Sequence, residues 1–229
     1  MKASTPSLLL FCITSVLAII FRIFDYEITE LYCRSAIIPS LFIYYLVKNN
    51  YKISLYKIII FLVLFIRDVL VVLKVKETAF GSFVCVLFVY FLLFYVAIQD
   101  FKKIKFSKND IATVLVIIFG IGAVCYSVLN LKLENLDLDF SLYVFFGVVL
   151  SLLSIFSILN YVKIGSNAFF NALLMCVCFI ISDVFFVISK FYYFNQVFAI
   201  TSLITQFLSY FFMTNYFLDK DKVYDDLAT

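Results

Sequence analysis

Long stretches of this chain carry almost no charge, and that limits its fold more than any other feature. Between Lys2 and Arg22 lie nineteen uncharged residues, between Glu77 and Asp100 twenty-two, between Asp139 and Lys163 twenty-three, and between Lys190 and Asp219 twenty-eight. A helix needs ~20 predominantly apolar residues to cross the hydrocarbon of a bilayer. Barrel strands would instead alternate in polarity over ~10 residues. The runs therefore predict an all-α, polytopic membrane helical bundle of about eight spans, near 4–23, 31–48, 55–74, 79–99, 111–131, 140–160, 166–188 and 193–217. Residues 1–218 form one transmembrane domain, and 219–229 a short polar tail. The first span has a single Lys before it and no small-residue cleavage pattern after it, so it reads as a retained span rather than a signal peptide.

Composition agrees. Hydrophobic residues make up 65% of the 229, charged residues 14%, and mean hydropathy is +1.10. A soluble domain averages ~45–50% apolar and ~25% charged. This excludes a soluble enzyme and a disordered chain. A net charge of +3 is no footprint for nucleic acid.

The absences narrow the chemistry. There is no His, which removes His acid–base catalysis and every His-ligated metal site. Six Cys are scattered through apolar segments, and Cys176 and Cys178 form C-x-C rather than a metal or redox spacing. No glycine-rich phosphate loop or nucleotide fingerprint occurs. The expectation is no cofactor and no metal.

Lys and Arg in the connections set orientation. One side would hold eleven Lys, among them Lys48, Lys52, Lys57, Lys102, Lys163 and Lys220. The other has Lys74, Lys76, Lys132 and Lys190, with Arg22 and Arg34 at span ends and acidic loops around Glu30 and Glu134. This predicts a protein integral to the cell membrane with both termini cytoplasmic.

The third and seventh spans resemble each other. One reads Phe65-Ile66-Arg67-Asp68-Val69, the other Ile180-Ile181-Ser182-Asp183-Val184. The two Asp stand 115 residues apart, about half the chain. A four-plus-four duplication would account for this; so would chance, because Ile, Val and Phe are common here.

Charge inside a bilayer is costly, at ~2.5–3.5 kcal/mol for Asp or Arg at a helix centre on insertion scales. Asp68, Asp183 and Arg67 all fall inside spans, with Arg22 and Arg34 at the same depth as the Asp pair. Either Asp could serve structure by pairing with an arginine, or function, which is the default for an ionisable residue within a membrane. Arg67 and Asp68 are neighbours in sequence, about 100° apart around the helix, and so are not expected to share a face. Ser182, Asn167, Asn171, Gln206 and Tyr210 form a polar set on the last two spans, where interhelical hydrogen bonding is the commoner role.

With these residues in place, the chain resembles the YhhN-type membrane proteins, which include lysoplasmalogenases. Cys178 to Phe191, CFIISDVFFVISKF, is similar to that family's Phe-x-x-Ser-Asp segment with its following Lys/Arg-Phe. Phe65 to Leu73 resembles its Gly-Asp segment, Arg34 stands where the family has a Lys, and Gln206 to Tyr210 resembles its Tyr-x-x-x-Gln with the two residues exchanged. The chain departs from the family at Arg67, which replaces a small residue, at Met175, near an expected Gly, and in having no His.

The resemblance implies hydrolysis of the vinyl ether of a lysoplasmalogen to an aldehyde and a glycerophospho head group. That reaction protonates the β-carbon and adds water to the resulting oxocarbenium ion. It needs a carboxylic acid that keeps its proton near neutral pH and a second carboxylate to take a proton from water. Asp68 and Asp183 would be that pair, in either order of roles. Arg34 would hold the phosphate with its bidentate fork, and Arg67, Ser182, Gln206 and Tyr210 would line the site. The partner is a membrane lipid or lysolipid. The alternative is a lipid-binding, transport or sensing protein that uses the same polar cluster without hydrolysis. Few Gly or Pro interrupt the spans as a transporter's broken helices require.

Overall fold

The computed structural model describes residues 5–73, 76–102, 110–130, 140–193 and 195–228. Eight α-helices account for nearly all of them, and no strand occurs among the described residues. They are α1 (Thr5–Ile23), α2 (Glu27–Lys48), α3 (Leu55–Leu73), α4 (Lys76–Phe101), α5 (Asp110–Leu129), α6 (Phe140–Ile164), α7 (Asn167–Val187) and α8 (Gln196–Ala228). One π-helical turn, Ile188–Tyr192, follows α7.

Five helices are long and apolar enough to cross a membrane: α1, α4, α6, α7 and α8. Charge sets α3 apart, because Lys57, Arg67 and Asp68 all lie within it. Large apolar side chains cover the outside of the bundle. Phe119 is 79% exposed and Val116 73%. Water would penalise such a surface and hydrocarbon does not. The chain is a membrane-embedded helical bundle.

The helices close into a ring. α1 packs on α2, α2 on α3, α3 on α4, α4 on α6, α6 on α7 and α7 on α8, and α8 returns to α1 and α2. α5 stands outside the ring against α6. The start of α8 meets the end of α1, where Gln196 Nε2 donates to the Ile23 carbonyl at 3.0 Å. The connection between α6 and α7 is tight. Gly165 (φ +66°) turns α6 into α7 in a left-handed conformation that a side chain would strain.

Four sequence expectations change. The polar tail is not loose: α8 continues through it to Ala228, because Asp219, Lys220 and Asp221 find partners in the bundle. Lys57 and Lys220, counted above among loop cations, lie within α3 and α8 at 1% and 8% exposure. Glu30 belongs to α2 rather than to an acidic loop and is 4% exposed. Arg67 and Asp68 do pair, because the long arginine side chain folds round the helix to reach its neighbour. The charged connections at 74–75, 103–109 and 131–139, which carry Lys74, Lys103, Lys105, Lys108, Lys132, Glu134, Asp137 and Asp139, lie outside the described residues.

Candidate functional site

Six helices send polar side chains to one level of the ring, in the half where α1 ends and α8 begins. On α2, Glu30 and Arg34 are four residues apart and so share a face. Glu30 bridges two guanidiniums, accepting from Arg22 Nη1 and Arg34 Nη1 at 3.4 Å each. On α3, Arg67 Nη1 donates to Asp68 Oδ1 at 2.8 Å and to the Tyr210 hydroxyl at 3.1 Å. Asp68 is 4% exposed. An ion pair this deep survives because each charge would be far costlier alone.

Gln206 and Tyr210 repeat the four-residue spacing on α8. The Gln206 carboxamide lies between two guanidiniums. One end is 3.4 Å from Arg34 Nη2, and the other lies against Arg67 and 3.0 Å from the Tyr210 hydroxyl. An amide has one oxygen. Turned toward Arg67, that oxygen accepts from Arg67 and Tyr210 together, and its NH2 then faces Arg34. Arg34 is left with Glu30 as its acceptor. Arg67 Nε is buried and has no hydrogen-bond partner among the described residues.

Asp183 completes the set from α7. Tyr90 on α4 donates to Asp183 Oδ2 at 2.7 Å. Arg67 stands within electrostatic reach of both Asp183 and Asp68. The far side of Asp183 borders an apolar cavity between α5, α6 and α7. The two carboxylates therefore differ: Asp68 is ion-paired, whereas Asp183 has a phenol on one side and hydrocarbon on the other.

Six of the seven residues singled out from sequence for this site gather here: Asp68, Arg67, Gln206 and Tyr210 are hydrogen-bonded together, Arg34 lies against the Gln206 amide, and Asp183 stands within electrostatic reach of Arg67. Ser182 does something else. Its hydroxyl donates to the Ser202 carbonyl at 3.0 Å while Ser202 Oγ donates back to the Ser182 carbonyl at 2.8 Å, clamping α7 to α8. Asn171 donates to Asp219 at 2.9 Å, far from the network. Sequence reasoning missed Glu30 and Tyr90. The Glu30–Arg34 spacing was a usable signal. Tyr90 had none, being one of sixteen tyrosines.

A second polar cluster, also unforeseen, occupies the opposite end. Asp221 accepts from Tyr45 at 2.6 Å and Asn49 at 2.9 Å and pairs with Lys57. The rings of Tyr45, Tyr56 and Phe217 stand 5.5–5.6 Å from the Lys57 ammonium, close enough for cation–π attraction. Lys220 donates to Asp100 at 2.6 Å, which also accepts from Tyr216 at 2.9 Å. Consecutive residues 219, 220 and 221 thus tie α8 to α7, to α4, and to α2 with α3. Each of these charges has a partner on another helix or at its end.

Fold and site together define a membrane-embedded helical ring with a buried ionic network at one level. No family model, curated protein or solved structure matches the chain.

Proposed function

We propose that this protein is a membrane hydrolase of the lysoplasmalogenase type, with Asp183 as the acid and Asp68 as the base. The observation that carries the reading is the unequal setting of the two carboxyl groups within reach of one guanidinium. A neutral carboxyl group is the form that hydrocarbon tolerates at Asp183, and a carboxylate is the form that Arg67 holds at Asp68. Asp183 gives its proton to the β-carbon of the vinyl ether, leaving an oxocarbenium ion. Asp68 takes a proton from water as the water oxygen adds to that cation. The hemiacetal then collapses: Asp68 returns its proton to the departing glycerol oxygen, Asp183 takes the hydroxyl proton, and an aldehyde leaves. Both groups end as they began. Arg34, with its amide neighbour offering NH2 rather than oxygen, and the unpartnered Arg67 Nε supply the donors that a phosphate needs.

The same reading takes all eight helices as spans, the halves as a duplication, and both termini as cytoplasmic. The Arg67–Asp68 pair favours a second reading, a protein that binds lysolipid without turning it over, because a carboxylate so engaged is already satisfied. One assay separates the two. Purified protein in nanodiscs should release aldehyde from a lysoplasmalogen and not from a lyso ester lipid. Well-folded Asp68→Asn and Asp183→Asn variants should each lose roughly a thousandfold or more in turnover. Lipid retained without product would overturn the enzyme in favour of the binder.

A further inference from the structure

We propose that the cleft between α5 and α7, floored by α6, is the binding site for the single hydrocarbon chain of a membrane lipid, and that α5 is the gate through which the chain enters from the bilayer. The proposal rests on the hydrolase reading only for what happens afterwards at Asp183; binding and gating stand apart from turnover.

The cleft wall is mostly apolar, with Asp183, Ser151 and Tyr143 as its hydroxyl and carboxyl members. Val124, Phe146, Leu150, Ile180 and Val184 line it, and Asp183 lies among them. A chain lying there would run alongside the carboxyl group that Tyr90 holds from behind. The helices that flank the cleft, α6 and α7, are long and apolar enough to cross a membrane, so the medium outside is lipid.

The cavity is only about 90 Å³. Pockets that enclose a small ligand run to roughly 300–1,000 Å³. A chain therefore fits only if a wall moves, and α5 is the wall with least to hold it. It packs against α6 outside the ring, with Phe119 and Tyr126 79% and 70% exposed. Gly120 and Gly122 in its middle face open space, so no close packing requires them. Each glycine costs a helix interior ~1 kcal/mol relative to alanine, which leaves α5 easier to bend.

The point where α5 touches α6 also supplies a lock. A Cβ added at Gly147 would stand 3.1 Å from Cys125 Sγ, and both residues line the cleft. That spacing suits a disulfide. The probe is a lysophosphatidylcholine with a diazirine in mid-chain, photolysed with the protein in nanodiscs. Wild-type label should map by mass spectrometry to α5, α6 and α7 around Val124, Phe146 and Val184. In Gly147→Cys, oxidation should join position 147 to Cys125 and cut labelling about tenfold, and reductant should restore it. The same substitution combined with Cys125→Ser should be indifferent to oxidation. Should Gly147→Cys fold poorly, Val184→Trp fills the cleft from α7 and should cut labelling without any oxidant.

Label concentrated elsewhere, such as the apolar groove at Pro39 and Phe61 between α2 and α3, overturns the site. Labelling unchanged once the disulfide has formed overturns the gate. Failure of the disulfide to form in folded protein overturns the contact between α5 and α6 on which the gate depends. If labelling behaves as expected but no aldehyde is ever released, the hydrolase reading falls and the chain site stands.

Discussion

Tyr90 on α4 donates its hydroxyl hydrogen to Asp183 on α7 at 2.7 Å, joining two helices that both pack on α6. The phenol fixes which way the carboxyl group faces. Tyr90→Phe should cost about 0.5–1.5 kcal/mol, the range for a hydrogen bond between neutral groups, measured as detergent-solubilised unfolding. Turnover per folded molecule should fall at least about tenfold as Asp183 loses its orientation. Unchanged turnover in folded protein would remove Tyr90 from the site.

The Arg67–Asp68 pair makes a different forecast. Arg67→Met leaves a buried carboxylate unpaired and should cost about 3–5 kcal/mol. Combining Arg67→Met with Asp68→Leu should recover most of that loss, because no stranded charge remains. A double variant less stable than Arg67→Met would mean the two residues contribute independently.

Arg34 should govern recognition more than chemistry. Arg34→Gln takes away one charge-assisted hydrogen bond to the phosphate. It should raise KM for a phosphate-bearing lysolipid about tenfold and leave kcat nearly unchanged. A neutral glyceryl vinyl ether should show no such change. Equal effects on both substrates would place Arg34 in structure alone.

At the other end, the Lys57–Asp221 pair predicts an asymmetry. Lys57 is 1% exposed and Asp221 24%. Asp221→Ala strands a buried ammonium and should cost about 3–5 kcal/mol. Lys57→Met leaves a carboxylate that water still reaches, and should cost about 1 kcal/mol. Turnover per folded molecule should hold in both, which thermal unfolding and aldehyde release together would check.

Ser182→Ala should cost about 1 kcal/mol by opening the reciprocal Ser182–Ser202 clamp, with turnover intact. A loss of turnover beyond the loss of folded protein would return Ser182 to the substrate site.

Helix positions were legible because hydrocarbon demands length: the expected 4–23, 55–74 and 140–160 became Thr5–Ile23, Leu55–Leu73 and Phe140–Ile164. Asp68 and Asp183 were legible because a carboxyl group inside an apolar run needs a reason. What stayed hidden were charges near run ends. Glu30, Lys57, Asp100 and Asp221 read as loop residues because a helix end and a loop look alike in sequence. Lys57 meets Asp221 across 164 residues and Asp100 meets Lys220 across 120, and no local pattern encodes such distances. Arg67 misled for a geometric reason: the angle between backbone positions says little about where a long, flexible side chain ends.

The spacing of partners along the chain also says something about assembly. α3 carries three charges, and two of them reach partners on α8, Lys57 with Asp221 and Arg67 with Tyr210, 164 and 143 residues later. During synthesis α3 must therefore reach the bilayer before those groups exist, at the insertion cost such charges carry. α8 acts as a late keystone. Until it arrives, α3 depends on the insertion machinery or on its early neighbours for shelter, and that interval is where quality control would find this protein most exposed.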